Sequence, residues 1–434
     1  MNPPSITAPK ICVIGAGPCG LAAAKNLLQQ GLSNFTVYEK NERLGGNWVF
    51  DEQNTHSSIY ETTHIISSKR LSEFEDFPMP ADYPDYPSHQ QILDYFESYA
   101  SHFQLESFIK FNSTVEYVSL NAENKWLVIY RNEFGTQKEM YDYLLVANGH
   151  HWDPFIPDYP GPFNGKILHA HQYKKASSFK GKRVLVVGGG NSACDIAVEI
   201  SRVASKTCIS MRRGQHIFPK FIFGKPTDIL FAKLSWLPLG LKQFLAKYFI
   251  RLWQGRYPKY GLQKPTCKPL AIHPTINSEL LYFIRHGKIS PRRGIERFEG
   301  DYVFFADGSS DKFDVIIFAT GYQTSFPFFD RNLIEYRTAT NIPLYRKMMH
   351  PEFTNLYFIG LVQPQGCIWP LADYQAQIAA KIIAGNLRRP TNIARKIQQE
   401  IKHSRKHYKG SIRHALEVEY QTFRRQLLRE LKRK

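Results

Sequence analysis

The chain has 434 residues, 43% of them apolar and 22% charged, with a formal net charge of +18. It is too long for one typical core and too apolar for a disordered chain, so two or more globular domains are expected. Its six cysteines, Cys12, Cys19, Cys194, Cys208, Cys267 and Cys367, are scattered without a C-x-x-C pair. That excludes a disulfide-stapled secreted fold and reads as a reduced, cytoplasmic protein.

In chain order, Met1 to Pro9 is short, polar and proline-rich, with no signal-peptide core. The apolar run Ile11 to Ile14 reads as a strand. Gly15-Ala16-Gly17-Pro18-Cys19-Gly20 follows and opens a helix-like run. In that context a G-x-G-x-x-G pattern has a mechanism. The first glycine makes the turn, the second lets backbone approach a pyrophosphate, and the third lets helix and strand pack closely. The helix N-terminus offers free N–H groups to the phosphates. Glu39 ends the next run, Phe35 to Tyr38, about 20 residues on, where a carboxylate accepts ribose hydroxyls. A carboxylate there repels a 2′-phosphate, so this site suits FAD or NAD.

Ser88 to Ser101 reads as a helix and Thr114 to Tyr130 as an alternating strand pair. Tyr143 to Ala147 returns to the first sheet. A linker rich in proline and aromatics, His150 to Gly161, comes next. Val184 to Val187 then leads into a second loop, Gly188-Gly189-Gly190-Asn191-Ser192-Ala193, with Asp195 just beyond. The strand-like run from Lys206 to Met211 ends in Arg212-Arg213. A guanidinium pairs with a phosphate through two parallel hydrogen bonds, so this half suits NADPH. Val315 to Phe318 precedes Ala319-Thr320-Gly321. Leu356 to Gly360 reads as a last strand, and Pro370 to Ala384 as a helix. Two dinucleotide loops in one chain imply electron transfer between their ligands.

The predicted fold class is α/β. Two Rossmann-like dinucleotide-binding domains are expected, the NADPH domain inserted in the FAD domain. The expected boundaries are 10–160 for the first part of the FAD domain, 161–318 for NADPH, 319–386 for the FAD return, and 387–434 for a basic helical segment.

The charge is concentrated. Ser201 to Lys264 holds thirteen Lys/Arg against one acid, Asp228, and Leu387 onward holds fifteen against four. In the first block, Asp228 to Trp253 interleaves aromatics and leucines with lysines. Its charges interrupt any span of ~20 apolar residues. An interfacial helix at a membrane surface and a lid packed over the active site both fit it. The C-terminal block suits an anionic lipid surface or a solvated tail; no nucleic-acid recognition motif accompanies it. A homodimer is left open, and no metal-binding set is present.

Several motifs in order resemble the class B flavin-dependent monooxygenases, the flavin-containing monooxygenase group. Phe163-Asn164-Gly165-Lys166-Ile167-Leu168-His169-Ala170-His171-Gln172-Tyr173-Lys174 is similar to the family fingerprint F-x-G-x-x-x-H-x-x-x-Y-K. Leu44-Gly45-Gly46-Asn47-Trp48, Asp76-Phe77-Pro78-Met79-Pro80, Phe318-Ala319-Thr320-Gly321-Tyr322 and Gly360-Leu361-Val362-Gln363 also resemble family motifs. The likeness runs from about Lys10 to Gly385.

The resemblance implies FAD and NADPH as cofactors, and a C4a-(hydro)peroxyflavin that oxygenates a nitrogen- or sulfur-containing small molecule with O2. Baeyer–Villiger or keto-acid chemistry, and peroxide release by an NADPH oxidase, are the alternatives. It adds Lys40, Gly46, Asn47, Trp48, Ser67, Thr320 and Gly321 to the cofactor-binding residues. Ser67, His64 and Gln363 are the candidates near the reacting atoms. Many members carry Asn where Ile66 stands here, and no Arg typical of the ester-forming branch appears there. His169 and His171 read as structural.

Overall fold

The computed structural model describes residues 8–53, 56–271, 274–407 and 415–433. The expectations for Met1 to Pro9 fall outside these except at its last two residues. So do 408–414 and Lys434 of the basic C-terminal segment.

The chain is mixed α/β and forms two compact units. The first comprises Met1–Val49, Lys69–His150 and Thr324–Lys434; the second comprises Phe50–Ser68 and His151–Gln323.

The first unit is built on a five-stranded parallel sheet. Its order is Leu356–Phe358, Tyr143–Val146, Ile11–Ile14, Phe35–Tyr38 and Ile109–Lys110. All four residues of Ile11–Ile14 are buried, because a parallel strand covered on both faces needs a continuous apolar run. The Pro18–Gln29 helix follows, its fixed-φ proline in the first turn. It packs on the Trp369–Ile383 helix. Buried Lys25 joins the two, its ammonium 2.8 Å from Asp373 and 2.7 Å from Asp76. The His89–His102 helix begins at a capping box in which Ser88 and Gln91 satisfy each other's backbone N–H groups.

A separate antiparallel sheet contains Thr114–Leu120, Trp126–Asn132 and Gly135–Tyr141. Its third strand was not expected from the sequence, since polar residues dominate Gly135–Tyr141.

The C-terminal block is integral to the first unit. Strand Glu417–Val418 pairs with Gln363–Pro364, and the Tyr420–Leu431 helix buries Phe423 and Leu427, one turn apart. Arg346 donates to Glu400 at 2.6 Å, and Arg424 pairs with Glu75.

The second unit has its own five-stranded parallel sheet, in the order Ser290–Arg292, Lys206–Ser210, Arg183–Val187, Val315–Phe318 and Lys166–His169. Asp153–Pro154 pairs antiparallel with Tyr322–Gln323. The units divide the chain differently from the expected boundaries, because Phe50–Ser68, His151 to Pro160 and Ala319 to Gln323 pack with the second. Lys174 supplies one reason. Its ammonium donates to the carbonyls of Ser57 and Ile59 at 2.6 and 3.2 Å, and its carbonyl accepts from the Glu61 N–H at 2.9 Å.

The expected helical run from Asp228 to Trp253 is two helices, Thr227–Lys233 and Leu239–Gln254. Pro238 separates them, lacking the N–H a continuous helix needs. No helix among the described residues is long and apolar enough to cross a membrane.

Candidate functional site

The two glycine loops are built alike. Gly15 has φ +102°, and a Cβ on it would lie 2.8 Å from the Ala147 carbonyl oxygen. Gly188 has φ +144°, and its Cβ would strike the Ala319 carbonyl oxygen. In each unit the first glycine turns against the residue just past the end of the neighbouring strand, and a side chain would collide there. Gly20 has the same problem against the Gly15 carbonyl, whereas the second loop accommodates Ala193 at the equivalent place.

Both loops end in a helix without a side-chain cap. Gly17 is the N-cap of Pro18–Gln29 and Gly190 that of Asn191–Ile200. Neither accepts a first-turn N–H through a side chain, which leaves those donors to a phosphate or to water.

Around the first loop, Glu39 is buried at the end of its strand. It accepts the Ala16 N–H at 2.8 Å and, on its other oxygen, the Asn41 backbone and side-chain N–H groups at 3.0 and 2.9 Å. Burial raises its carboxyl pKa above the usual range, and the Asn41 and Ala16 N–H groups oppose that. Asn41 was missed in the sequence, although an amide two residues beyond a strand-end carboxylate is a common local partner. Lys40 is exposed beside it.

The Leu44-Gly45-Gly46-Asn47-Trp48 stretch lies against this loop. The Gly45 N–H donates to the Ala16 carbonyl at 3.0 Å, and Gly46 approaches the Gly17 backbone. The Trp48 ring meets Trp369 edge-on at 5.6 Å. Gly360 touches Cys19, and its N–H donates to Gln375 at 2.9 Å. Gln363 lies 3.2 Å from the His150 imidazole; His150 had not been singled out.

Around the second loop, Asn191 accepts the Ile276 N–H at 2.6 Å and Thr275 donates to the Gly189 carbonyl at 2.8 Å. Ser192 is exposed in the first helical turn. Asp195 accepts from Asn277 at 2.6 Å and from Tyr60 at 3.4 Å. Burial raises its pKa; the Lys220 charge and these hydrogen bonds oppose the rise. Its carboxylate therefore serves the local fold. Arg212 and Arg213 are exposed, and neither guanidinium forms a hydrogen bond or ion pair among the described residues.

The fingerprint is structural in its contacts. Tyr173 donates to Glu199 at 2.6 Å, Lys174 holds residues 57–61, and His169 accepts the His171 N–H at 3.1 Å. Burial, with His171 nearby, pushes the His169 imidazole down to about 4, so it is neutral at pH 7. Tyr322 rests edge-on against both histidines, and Thr320 donates to the Phe155 carbonyl.

The three reaction-site candidates divide between the units. Gln363 belongs to the first; His64 and Ser67 belong to the second. His64 is exposed, with Nδ1 2.8 Å from the Thr62 carbonyl oxygen, and Ser67 is buried. Ile66 is half-buried between them.

A family described as flavin-binding monooxygenase-like matches residues 8–434. Flavin-containing monooxygenase 5 of Rattus norvegicus is 34% identical over 438 residues, covering 95% of this chain and 80% of the relative. Dimethylaniline monooxygenase [N-oxide-forming] 2 of Oryctolagus cuniculus is 35% identical over 397 residues, covering 87% and 74%. Among solved structures, S-allyl-L-cysteine S-oxygenase from Allium sativum superposes with TM-score 0.73 at 22% identity, covering 98% of this chain and 89% of that one. Cyclohexanone monooxygenase from Rhodococcus sp. Phi1, bound to NADP+, superposes with TM-score 0.74 at 18% identity, covering 98% and 97%. The chain belongs to the flavin-binding monooxygenase-like family and is an oxidoreductase.

Proposed function

We propose that the chain is an FAD- and NADPH-dependent monooxygenase that oxygenates a nitrogen or sulfur atom of a small molecule with O2. Each unit is read as a Rossmann-like dinucleotide-binding domain, the second inserted in the sequence of the first. The supporting observation is the contrast between the two loops. One pairs an uncapped helix N-terminus with a buried carboxylate, Glu39, which suits the ribose of FAD. The other pairs an uncapped helix N-terminus with two guanidiniums that have no partner among the described residues, Arg212 and Arg213, which suit the 2′-phosphate of NADPH.

When bound and reduced by NADPH, the flavin supplies the oxygen-activating chemistry. The chain's own residues bind and orient. Gly15, Ala16, Gly17 and Gly20 bring backbone up to the FAD pyrophosphate; Gly46, Asn47 and Trp48 border it. Gly188, Gly190, Asn191 and Ser192 do the same for NADPH. Gln363, fixed by His150, is the polar group of the first unit assigned to the flavin ring, and Ser67 is the buried hydroxyl of the second unit kept as a candidate. His64 is exposed and its Nδ1 already bonds the Thr62 carbonyl, so no proton-transfer role is given to it.

Heteroatom oxygenation is preferred over attack on a carbonyl because no guanidinium stands in the 64–69 stretch to hold an anionic oxygen nucleophile. The printed name of the Oryctolagus cuniculus relative, dimethylaniline monooxygenase [N-oxide-forming] 2, agrees. Ile66 offers no hydrogen bond, so some loss of oxygen as hydrogen peroxide is expected.

The test is stoichiometry. Purified protein is given NADPH and air with dimethylaniline, a methyl sulfide, a cyclic ketone or indole-3-pyruvate. N-oxide or sulfoxide should account for most NADPH consumed. Turnover confined to the ketone or keto acid moves the reaction to a carbonyl. Peroxide equal to NADPH, with no product, makes the protein an oxidase.

A further inference from the structure

Gln375 is fully buried in the middle of the Trp369–Ile383 helix. A polar side chain in such a place needs partners for its oxygen and its nitrogen. Two different segments supply them. Its Oε1 accepts the Gly360 N–H at 2.9 Å, and its Nε2 donates to the Arg346 carbonyl at 2.9 Å. The first bond has a cause in the sheet. Ile359 donates to the Val146 carbonyl at 2.8 Å, and Gly360 then turns away at φ +79°. Its buried N–H has left the strand ladder, and Gln375 satisfies it.

The second bond reaches a strained pair. Arg346 and Lys347 stand at φ +52° and +55°. Two successive residues with side chains in the left-handed region are costly and persist only where neighbours fix them. The C-terminal block does that. Glu400 accepts the Arg346 N–H at 3.2 Å and its guanidinium at 2.6 Å. Glu430 accepts the same guanidinium at 3.3 Å, and the Lys347 ammonium donates to the Ala415 carbonyl at 2.8 Å. The strained pair is thereby held with the Arg346 carbonyl presented to Gln375. At the other end of the link, Gly360 touches Cys19 in the first turn of the Pro18–Gln29 helix and opens the turn that ends at Gln363. The far side of that turn is tied to the same C-terminal block, where the Gln363 N–H meets the Leu416 carbonyl at 2.9 Å.

We propose that Gln375 is a positioning residue for the flavin. By joining the Gly360 N–H to the Arg346 carbonyl, it fixes the Gly360–Gln363 turn between the pyrophosphate loop and the C-terminal block, and so sets where the Gln363 amide stands. The proposal rests on the assignment of Gln363 to the flavin ring.

The test uses the full chain with FAD. It reads the flavin midpoint potential and the Kd for FAD, with the melting temperature alongside. Gln375→Met keeps the volume and removes both bonds. It should raise the Kd about tenfold, the size of one net hydrogen bond, and move the potential in the same direction as Gln363→Leu. The double variant should have the potential of Gln363→Leu alone, because a residue acting through Gln363 then has nothing left to position. Glu400→Ala, which loosens Arg346 from the C-terminal block, should move the potential the same way by less. Val128→Ala, a cavity in the antiparallel sheet of the same unit, should lower the melting temperature and leave the potential alone. A Gln375→Met protein that melts lower but keeps the wild-type potential and Kd makes Gln375 a core side chain only and overturns the proposal. Shifts in potential that simply add in the double variant overturn it too. If Gln375→Met purifies without flavin, Glu400→Ala decides, and a wild-type potential there overturns the proposal. If Gln363→Leu leaves the potential unchanged while Gln375→Met still weakens FAD tenfold, the assignment of Gln363 falls and Gln375 positions the flavin through the Gly360 contact with Cys19.

Discussion

At the residue scale, Arg212 and Arg213 differ from Arg183, Arg202 and Arg292 in having no carboxylate partner among the described residues. Arg183, Arg202 and Arg292 pair with Asp314, Glu279 and Asp311 at 2.5, 2.6 and 2.7 Å. A guanidinium left free at the end of a parallel strand, next to a phosphate-type loop, has a ligand as its natural partner. Arg212→Ala should raise the KM for NADPH ten- to a hundred-fold, which is ~1.5–3 kcal/mol for one charge-assisted bond, and leave that for NADH nearly unchanged. Steady-state kinetics with both coenzymes decides it. Equal effects on the two would transfer the role to Arg213. Both glycine loops, Glu39 and this arginine pair were legible in the sequence because each is local. Residue type and spacing from a strand are enough to define them. His150 beside Gln363 was not legible, since 213 residues separate them. The inward use of Asp195 was hidden for the same reason, as its partners Tyr60 and Asn277 come from distant segments.

At the element scale, the Asn191–Ile200 helix places two carboxylates, Asp195 and Glu199, one turn apart on one face. Both serve the fold of the second unit. Asp195 accepts from Tyr60, and Glu199 accepts from the fingerprint residue Tyr173. Like charges at this spacing disfavour each other's ionisation. Burial first, and then Asp195 as the foremost of the charges that raise it, push Glu199 up to about 7. A carboxyl raised in the folded state contributes stability that is full below its ordinary pKa, near 4.5, and is lost as pH rises through 7. The melting temperature of the wild type should therefore fall between pH 5 and 8 relative to Glu199→Gln, by the equivalent of on the order of 1–3 kcal/mol. The amide still accepts from Tyr173, so the variant retains the hydrogen bond without the titration. Parallel pH profiles for the two proteins would remove Glu199 as the cause. The helices and parallel strands themselves were readable from apolar runs and glycine turns. The Gly135–Tyr141 strand was not, because its register is set by its neighbour Trp126–Asn132 and not by an apolar pattern of its own. Pro238, by contrast, was in plain sight as a helix breaker within the Asp228 to Trp253 run.

At the scale of the whole molecule, each compact unit is assembled from separated segments of chain, and the basic C-terminal block closes the first. Composition made this block look like a solvated tail or a lipid-binding arm, because its apolar residues are few. Those few are well placed. Phe423 and Leu427 are buried one turn apart, Tyr345 donates to Glu430, and Lys347 donates to the Ala415 carbonyl at 2.8 Å. Strand Glu417–Val418 also supplies the partner for Gln363–Pro364, where the Leu416 carbonyl accepts the Gln363 N–H at 2.9 Å. Removing residues 387–434 would expose the Trp369–Ile383 helix on the side where Tyr420–Leu431 packs, and would strip Gln363 of its backbone partner. Burial of an aromatic and a leucine alone is worth ~1.5–3 kcal/mol each, a large fraction of the 5–15 kcal/mol by which a domain is typically stable. A chain ending at Asn386 should therefore be poorly soluble and free of flavin. Substituting only the exposed cations Arg425 and Arg429 by Gln should leave the melting temperature within about 1 kcal/mol of wild type. Thermal unfolding followed by flavin fluorescence measures both. A truncated chain that holds stoichiometric flavin and melts like the full one would return the C-terminal block to the status of a solvated tail.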